Sequence, residues 1–220
     1  MKNFARYLFC MTLPCLLVWS VNLSAQEICG TNKLKKHLIE RYPELDSIYH
    51  LQDQAFTYTS SPKTRSIVTI PVVFHVVWNT QSQKVPQPIL EEAVDILTKD
   101  FRRQNPDAVN TGMFGGYEDP NGLWALNYNN IGADCEIQYI FCGVTYDYTP
   151  LLQIDLSQNP LYLKSTFPYY QTYNPTKYLN IWVANLGGTL LGLADFPGSP
   201  AQHDGVSITY GSLGYNNPNY

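Results

Sequence analysis

The chain has 220 residues, of which 45% are hydrophobic and 15% are charged, and this balance is typical of one globular domain with a substantial core. The formal net charge is -4 and the sequence pI is about 5.5, which argues against the basic surface that a nucleic-acid partner requires. Composition therefore argues against a disordered chain, a fibrous chain and a nucleic-acid-binding protein, and it names no activity.

The first residues have the layout of a cleaved secretory signal. Lys2 and Arg6 precede an apolar run, and the small residue Ala25 closes the stretch. We predict a signal peptide at 1–25 and cleavage after Ala25, and therefore export to the periplasm, the cell surface or the medium, with no membrane span in the mature chain. The alternative is a membrane anchor, which the short apolar run and Pro14 within it disfavour.

Cysteine usage leaves an odd thiol in the exported chain. Cys10 and Cys15 leave with the signal, so the mature chain keeps Cys29, Cys135 and Cys142. An odd number in an oxidising compartment leaves one thiol without a partner in the same chain. The last two cysteines lie in one extended segment, whose backbone holds them about 23 Å apart, so we expect no disulfide between them unless the strand is broken there.

The N-terminal part of the mature chain is predicted to be a helix followed by a linker. Leucine and isoleucine recur at helical spacing in Lys33 to Tyr42, and Pro43 ends the pattern. The segment from Thr57 to Arg65 is small, polar and proline-bearing, which is typical of a linker. We place a boundary near residue 65, so that 26–65 and 66–220 are separate regions.

The region beyond the boundary alternates strands with one long helix. Ile67 to Trp78 is almost wholly β-branched or aromatic and predicts a strand buried on both faces. Pro88 to Arg103 predicts an amphipathic helix. Four further strands are predicted: Glu136 to Tyr146, Tyr178 to Leu186, Leu190 to Phe196, and Gly205 to Tyr210. This order favours an α/β sheet with parallel pairs, formed by crossover connections.

No local motif names a reaction. The four histidines, at positions 37, 50, 75 and 203, never occur three or four residues apart, so no helix presents two imidazoles to a metal ion. His75 lies in an apolar strand and is predicted to be a core histidine. His203 lies in a turn and is predicted to be solvated. The glycines from Gly187 to Gly192 match no phosphate-binding spacing and indicate a tight connection.

Five blocks of the sequence together resemble a known family. In order along the chain they read "IPVVFHVVW", "ILTKDFRRQNPDAVNT", "YLNIWVANLGG", "LLGLADFPG" and "DGVSI". They are similar to the first half of the catalytic domain of the pappalysin-like zinc endopeptidases, in the cytophagalysin branch of the metzincin clan. The resemblance runs from about Ile67 to Ile208. It implies a metzincin-like upper subdomain, which is a twisted mixed sheet of about five strands with an antiparallel edge strand and one long backing helix.

The resemblance also implies a site. The edge strand of such a sheet binds an extended peptide or protein substrate by strand addition, and here that role would fall to Leu191, Gly192, Leu193 and Ala194. The alternative is an ordinary edge that a loop covers. Zinc is the implied cofactor and calcium is a second candidate. The motif H-E-x-x-H-x-x-G-x-x-H that holds zinc in the family does not occur in the 220 residues, so we assign no catalytic residue.

A latency function is implied for the segment ahead of the core. The sequence "CGT" at Cys29 is similar to a segment whose cysteine sulfur occupies the open zinc position in several relatives, and a thiolate is a strong zinc ligand. The alternatives are a disulfide to an absent partner or a free thiol. With this role 26–65 is a prosegment, and a cut between Arg65 and Ser66 in the linker would activate the enzyme.

These expectations combine into one reading with one alternative. The first is a precursor of a secreted zinc-dependent endopeptidase, in which 66–220 is a truncated catalytic domain, incomplete in this chain and inactive as it stands. The alternative is a non-catalytic exported binding module, or a remnant of such an enzyme, that binds its partner through the same edge strand.

Overall fold

The computed structural model describes residues 30–55, 66–105, 134–214 and 217. The elements in chain order are α1 (Thr31–Arg41), α2 (Glu44–Ala55), β1 (Val68–Trp78), α3 (Gln87–Phe101), β2 (Ile137–Tyr148), α4 (Tyr162–Thr166), β3 (Leu179–Ala184), β4 (Gly192–Ala194) and β5 (Val206–Thr209). Single turns of 3-10 helix lie at Gln81–Gln83, Tyr169–Gln171 and Tyr210–Ser212. No helix among the described residues is both long enough and apolar enough to cross a bilayer.

The five strands form one mixed sheet in the order β2-β1-β3-β5-β4. Its first four strands are parallel to one another, and only β4 runs antiparallel, against β5. The long helix α3 connects β1 to its parallel neighbour β2, as expected of a crossover connection. The predicted α/β fold with an antiparallel edge strand and one long backing helix is therefore confirmed.

The central strand β1 forms because six consecutive side chains, Val72 to Val77, are all buried, the pattern of a strand covered on both faces. Its register with β2 shifts between Val72 and Val73, where Cys142 is the extra residue of a bulge. Cys142 and Cys135 are both exposed and neither forms a disulfide, which confirms the expectation that they do not bridge.

Each face of the sheet carries its own apolar cluster. On one face α3 buries Leu90 and Val94 against the sheet; we call this the α3 face. On the other face the pair α1–α2, which we call the helical hairpin, covers the sheet, and we call this the hairpin face. The hairpin-face cluster includes Leu34, Leu38, Leu45, Tyr49, Leu156, Trp182, Leu186 and Leu193. The N-terminal segment is thus part of the core.

Several sequence predictions differ from the structure in extent. The predicted helix at residues 33–42 is confirmed as α1, but α2 was not predicted. The strand predicted from Leu190 to Phe196 is confirmed only over Gly192–Ala194. The signal peptide, Cys29 and the linker up to Arg65 lie outside the described residues. Ser66 is described and exposed, two residues ahead of β1.

The far edge of the sheet is capped by a side chain of α3. The Thr98 hydroxyl donates a hydrogen bond to the Tyr139 carbonyl oxygen (3.0 Å) and accepts one from the Tyr139 N–H (2.9 Å). Both outward polar groups of that β2 residue are thus satisfied by one threonine.

Candidate peptide-binding edge

The two ends of β4 present their backbone groups away from the sheet. Within the sheet, Leu191 accepts a hydrogen bond from the Thr209 N–H (2.8 Å), and Leu193 lies opposite Ser207. Because neighbouring residues of a strand alternate in direction, Gly192 and Ala194 direct theirs outward. Of the four predicted site residues, these two therefore carry the free edge.

The side chains of the other two predicted residues lie in different surroundings. Leu193 is 3% exposed and belongs to the hairpin-face cluster, whereas Leu191 is 49% exposed. A peptide paired with the edge would lie beside β4, with the Leu193 side chain buried on one face. Strand addition depends on backbone groups, so the leucines would determine only which side chains fit.

The start of the helical hairpin occupies this edge. The Gly30 N–H donates to the Gly192 carbonyl oxygen (3.0 Å), and the Ala194 N–H donates to the Thr31 hydroxyl (3.2 Å). The edge is therefore covered by the residues at the start of this segment. The covering residues belong to "CGT", the segment singled out from the sequence, and Cys29 itself precedes the first described residue.

Space is tight at the first of these contacts. A Cβ atom built on Gly30 would lie 3.1 Å from Leu190 Cδ1 and 3.3 Å from Leu193 Cβ. Such separations are tighter than ordinary van der Waals contact, so the leucine side chains would have to shift by a few tenths of an ångström to admit a larger residue. Glycine therefore allows the close approach of the segment to the edge without such a shift.

A cavity of about 320 Å³ adjoins the edge beneath the start of α1. Its wall includes Leu156, Leu186 and Leu193, and residues Gly30 and Lys33 of the hairpin close it on one side. The turn at Gly187 and Gly188 also lines the cavity, and the φ angles of these residues are 70° and 56°. These left-handed values favour glycine, as the sequence indicated for this connection.

A buried ion pair holds the β4–β5 hairpin in place. Lys164 from α4 forms an ion pair with Asp195, directly after β4, and both side chains are fully buried. Lys164 Nζ also donates to the Gly205 carbonyl oxygen (2.8 Å), directly before β5. Burial raises the pKa of Asp195 to about 6, although Lys164 opposes that shift. Burial also lowers the pKa of Lys164, against the attraction of Asp195.

His203 lies beside this pair and is buried, so the predicted solvated position is wrong. It is 7% exposed, and neither ring nitrogen has a hydrogen-bond partner among the described residues. The Tyr42 ring at the end of α1 lies 6.3 Å from its ring, which explains the burial of a turn residue. Burial, followed by the positive charges of Arg41 and Lys164, lowers the pKa of His203 to about 4.

His75 is a core histidine, as predicted. It is fully buried, and its ring nitrogens bond to Thr145 Oγ1 (3.0 Å) and Asn180 Oδ1 (2.9 Å). Because burial lowers the pKa of His75 to about 4, against the hydrogen bond of Asn180 and the charge of Asp147, the ring is neutral at pH 7. The amide oxygen can only accept, so Nε2 carries the proton and Nδ1 accepts from the threonine hydroxyl.

The described residues do not fit a zinc centre. Across 30–55, 66–105, 134–214 and 217, no group of three His, Cys, Asp or Glu side chains is arranged to hold a metal ion. His75 is committed to its two hydrogen bonds, and His203 belongs to no such group of three. We therefore derive no chemical step through a metal from these residues.

Two features of the site were missed from the sequence. Lys164 directly follows the apolar residues Leu161, Tyr162 and Leu163, and a lysine next to an apolar run is a signal for a buried charge that needs a partner. The pairing of Gly30 with Gly192 joins positions far apart in the chain and leaves no local pattern. The remaining predicted residues, Cys29 and Arg65, lie outside the described part of the chain.

Comparison with solved structures places the fold. No family model matches the sequence, and no curated protein matches it. The structure is similar to a promirolysin mutant from Tannerella forsythia, with 25% identity over 86% of this chain and a TM-score of 0.59. It is also similar to mature mirolysin of that organism in complex with a cleaved peptide, with 27% identity over 69% of this chain and a TM-score of 0.52, and to mirolysin in complex with a compound, at 27% identity and a TM-score of 0.51.

These likenesses define a metalloprotease-like fold. The chain spans 62% of the length of the promirolysin chain and 56% of the length of the mature one. The larger coverage of this chain by the precursor than by the mature form accords with the presence of a helical segment ahead of the core.

Proposed function

We propose that the chain is a precursor of a secreted zinc-dependent endopeptidase of the pappalysin-like type, in which residues 26–65 keep the peptide-binding edge closed. One observation carries the proposal: the only outward backbone groups of β4 that the described residues engage, on Gly192 and Ala194, are bonded to Gly30 and Thr31. A segment that bonds to an edge strand excludes any peptide that would use the same groups.

The similar structures support this assignment. One is a precursor and another is a mature protease with a cleaved peptide, so the fold is known in both a precursor and a peptide-bound form. Peptide or protein is therefore the partner class that we propose for this chain. The chain spans less than two thirds of the length of those proteins. Peptide hydrolysis is therefore proposed for the complete protease and not for these residues alone.

Zinc is the proposed cofactor, and when bound it would supply a Lewis acid and an activated water. The 220 residues contain no H-E-x-x-H motif, and the described residues offer no ligand set. We therefore expect no hydrolysis by residues 26–220 alone. The bond of Gly30, the next residue in the sequence, to the edge supports the proposed role of Cys29 as a latency thiolate for a metal held by other residues.

Export and activation complete the proposal. The signal at 1–25 would direct the chain out of the cytoplasm, and a cut between Arg65 and Ser66 would separate the prosegment from β1. Ser66 is exposed, which an activating protease requires on the far side of the bond.

The test is peptide binding by the mature chain, residues 26–220, before and after the prosegment is removed. A fluorescent casein-derived peptide should bind only after removal, measured by anisotropy, and neither form should cleave it in the presence of zinc. Ala194→Pro removes the outward N–H and should abolish binding, whereas Ala194→Ser keeps it and serves as the matched control. Equal binding by the intact chain would contradict the closed edge, and turnover by either form would contradict the expected inactivity.

A non-catalytic binding module remains the second candidate, because strand addition at Gly192 and Ala194 needs only backbone groups. The two candidates separate in the protein purified from its native host. Zinc-dependent cleavage by that protein favours the endopeptidase, and peptide binding without cleavage favours the module.

A further inference from the structure

We propose that Arg41–Tyr42 is a second proteolytic processing site, and that a cut at this bond, after the cut at Arg65–Ser66, is what releases the prosegment from the core. The inference rests on the proposed function, since it assumes that the segment must leave for the edge to open. The agent is a protease that cleaves after arginine. Water adds across the amide, so that Arg41 ends in a carboxylate and Tyr42 begins with an amine.

A cut at residue 65 alone leaves the helical hairpin attached. Leu34 and Leu38 of α1 are fully buried, and Leu45 and Tyr49 of α2 are each 2% exposed. All four belong to the same cluster as Trp182 of the sheet. Side chains buried to this degree behave as part of a core, so a break in the linker does not weaken their contacts.

Polar and aromatic contacts hold the hairpin as well. The Tyr49 hydroxyl hydrogen-bonds to Ser199 Oγ (3.0 Å), and its ring lies 5.4 Å from the Phe196 ring. Lys35 Nζ lies 5.0 Å from the centre of that phenylalanine ring. These contacts, with those of Gly30 and Thr31 at the edge, spread the attachment over both helices.

The two helices reinforce each other because they are one chain. Linking two binding elements raises the effective concentration of each, and loss of the link lowers the joint affinity by about 10²- to 10⁴-fold. A cut between α1 and α2 therefore makes each helix depend on two buried apolar side chains instead of four. The two helices are then released because they are no longer joined, and the packing of the core need not change.

Arg41 is the basic residue placed for this cut. It is exposed, it is the last residue of α1, and Tyr42 and Pro43 after it form the short non-helical connection to α2. Lys35 and Lys36 lie in the interior of α1, and a cut after Lys33, in its first turn, would leave the buried Leu34 and Leu38 joined to α2. Helix ends open more easily than helix interiors, so Arg41–Tyr42 is the accessible bond that separates the two helices.

The experiment uses the mature chain, residues 26–220, treated with a limiting amount of trypsin. Intact-mass spectrometry should show new N-termini at Ser66 and then at Tyr42, and size-exclusion chromatography should show release of the fragments only after the second cut. In Arg41→Gln the cut at 65 should proceed while the 26–65 fragment stays with the core, with at least 100-fold slower release. Arg41→Lys restores a trypsin site and should restore release, and Lys36→Gln is the control in the helix interior.

Failure of this inference is distinct from failure of the proposed function. Release of the fragment from Arg41→Gln at the wild-type rate, or no cut at Arg41 in the nicked wild-type chain, would overturn the second processing site. Neither outcome depends on peptide binding or on hydrolysis by this chain. Peptide binding by the intact chain, in contrast, would overturn the closed edge and leave the order of cuts unaffected.

Discussion

Helices cover both faces of the sheet and are equally buried, but only the cover of the hairpin face can be removed by proteolysis. On the α3 face, the fully buried Leu90 belongs to a helix that connects two strands and therefore cannot leave. On the hairpin face, the equally buried Leu38 belongs to a helix that lies ahead of β1 in the chain and is joined to it only through α2 and residues 56–67. Depth of burial therefore does not distinguish a permanent cover from a removable one. The distinction lies in connectivity and in where a protease can reach.

The buried ion pair should produce the largest effect on the hairpin face. Lys164→Met leaves Asp195 buried without its partner, which costs about 3–5 kcal/mol in the free energy of unfolding. Urea denaturation followed by circular dichroism measures it. The loss should be larger at pH 8 than at pH 5, because Asp195 can take up a proton at the lower pH.

The double variant Lys164→Met, Asp195→Asn provides the control for that change. It removes both charges, so it should recover part of the lost stability. A single lysine variant as stable as the wild type at pH 8 would show that the pair does not hold the β4–β5 hairpin.

Matched leucines compare the two covers directly. Leu38→Ala and Leu90→Ala each remove a fully buried side chain, and each should lower the free energy of unfolding by about 2–5 kcal/mol. We expect similar shifts of the urea midpoint, because the hairpin-face cluster includes Trp182 of the sheet. An unchanged midpoint for Leu38→Ala, with faster amide exchange confined to α1, would instead show that the hairpin opens separately.

The pH dependence of stability tests the burial of His203. Its pKa is about 4 in the folded chain against 6.5 ordinarily. A lowered histidine pKa means that the unfolded state binds the proton more tightly, so stability is lost as the pH falls from 6.5 to 4. The full loss corresponds to about 3 kcal/mol at about 1.4 kcal/mol per pKa unit.

Asp195 has the opposite effect on stability. Because its pKa is raised from 3.8 to about 6 in the folded chain, the folded state binds the proton more tightly than the unfolded state, so Asp195 adds to the free energy of unfolding as the pH falls from 6 to 3.8. His203→Phe removes only the first effect and should therefore gain stability relative to the wild type on acidification. Thermal unfolding at pH 7, 5.5 and 4.5 measures the difference. Parallel profiles for the two proteins would show that His203 is accessible to solvent.

The smallest expected effect is at the covered edge itself. Thr31→Val removes the acceptor of the Ala194 N–H at 3.2 Å and should cost about 1 kcal/mol locally. Hydrogen exchange should show the Ala194 amide exchanging about fivefold faster, with β1 unaffected. Thr31→Ser keeps the hydroxyl and should behave as the wild type. Unchanged exchange in the valine variant would show that the segment does not hold the edge.

The sequence predicts the elements formed by neighbouring residues better than the contacts between residues far apart in the chain. The run from Val72 to Val77 is apolar except for His75, so β1 was predictable from the local sequence. The helix α2 was missed although its signal was present: Leu45 and Tyr49 lie four residues apart after Pro43, and Glu44 begins its first turn. The local spacing of apolar residues therefore contained enough information to predict α2 as well.

The candidate site depended on contacts that no local pattern contains. The family resemblance located β4, but the bond of Gly30 to Gly192 joins residues whose separation in the chain leaves nothing to detect. The error at His203 has the same cause, because a turn histidine is solvated unless another element, here the end of α1, packs over it. The Lys164 pair with Asp195 likewise required the tertiary structure.

The threonine cap on β2 makes the two rims of the sheet unequal. An exposed strand rim is a template on which further chains can stack, and continued stacking produces fibres. At the Tyr139 position Thr98 has already used both polar groups of the backbone, so an incoming strand would find neither donor nor acceptor there. Because the β2 edge is blocked in this way, the sheet can add one strand at the β4 edge without further chains stacking on the β2 edge.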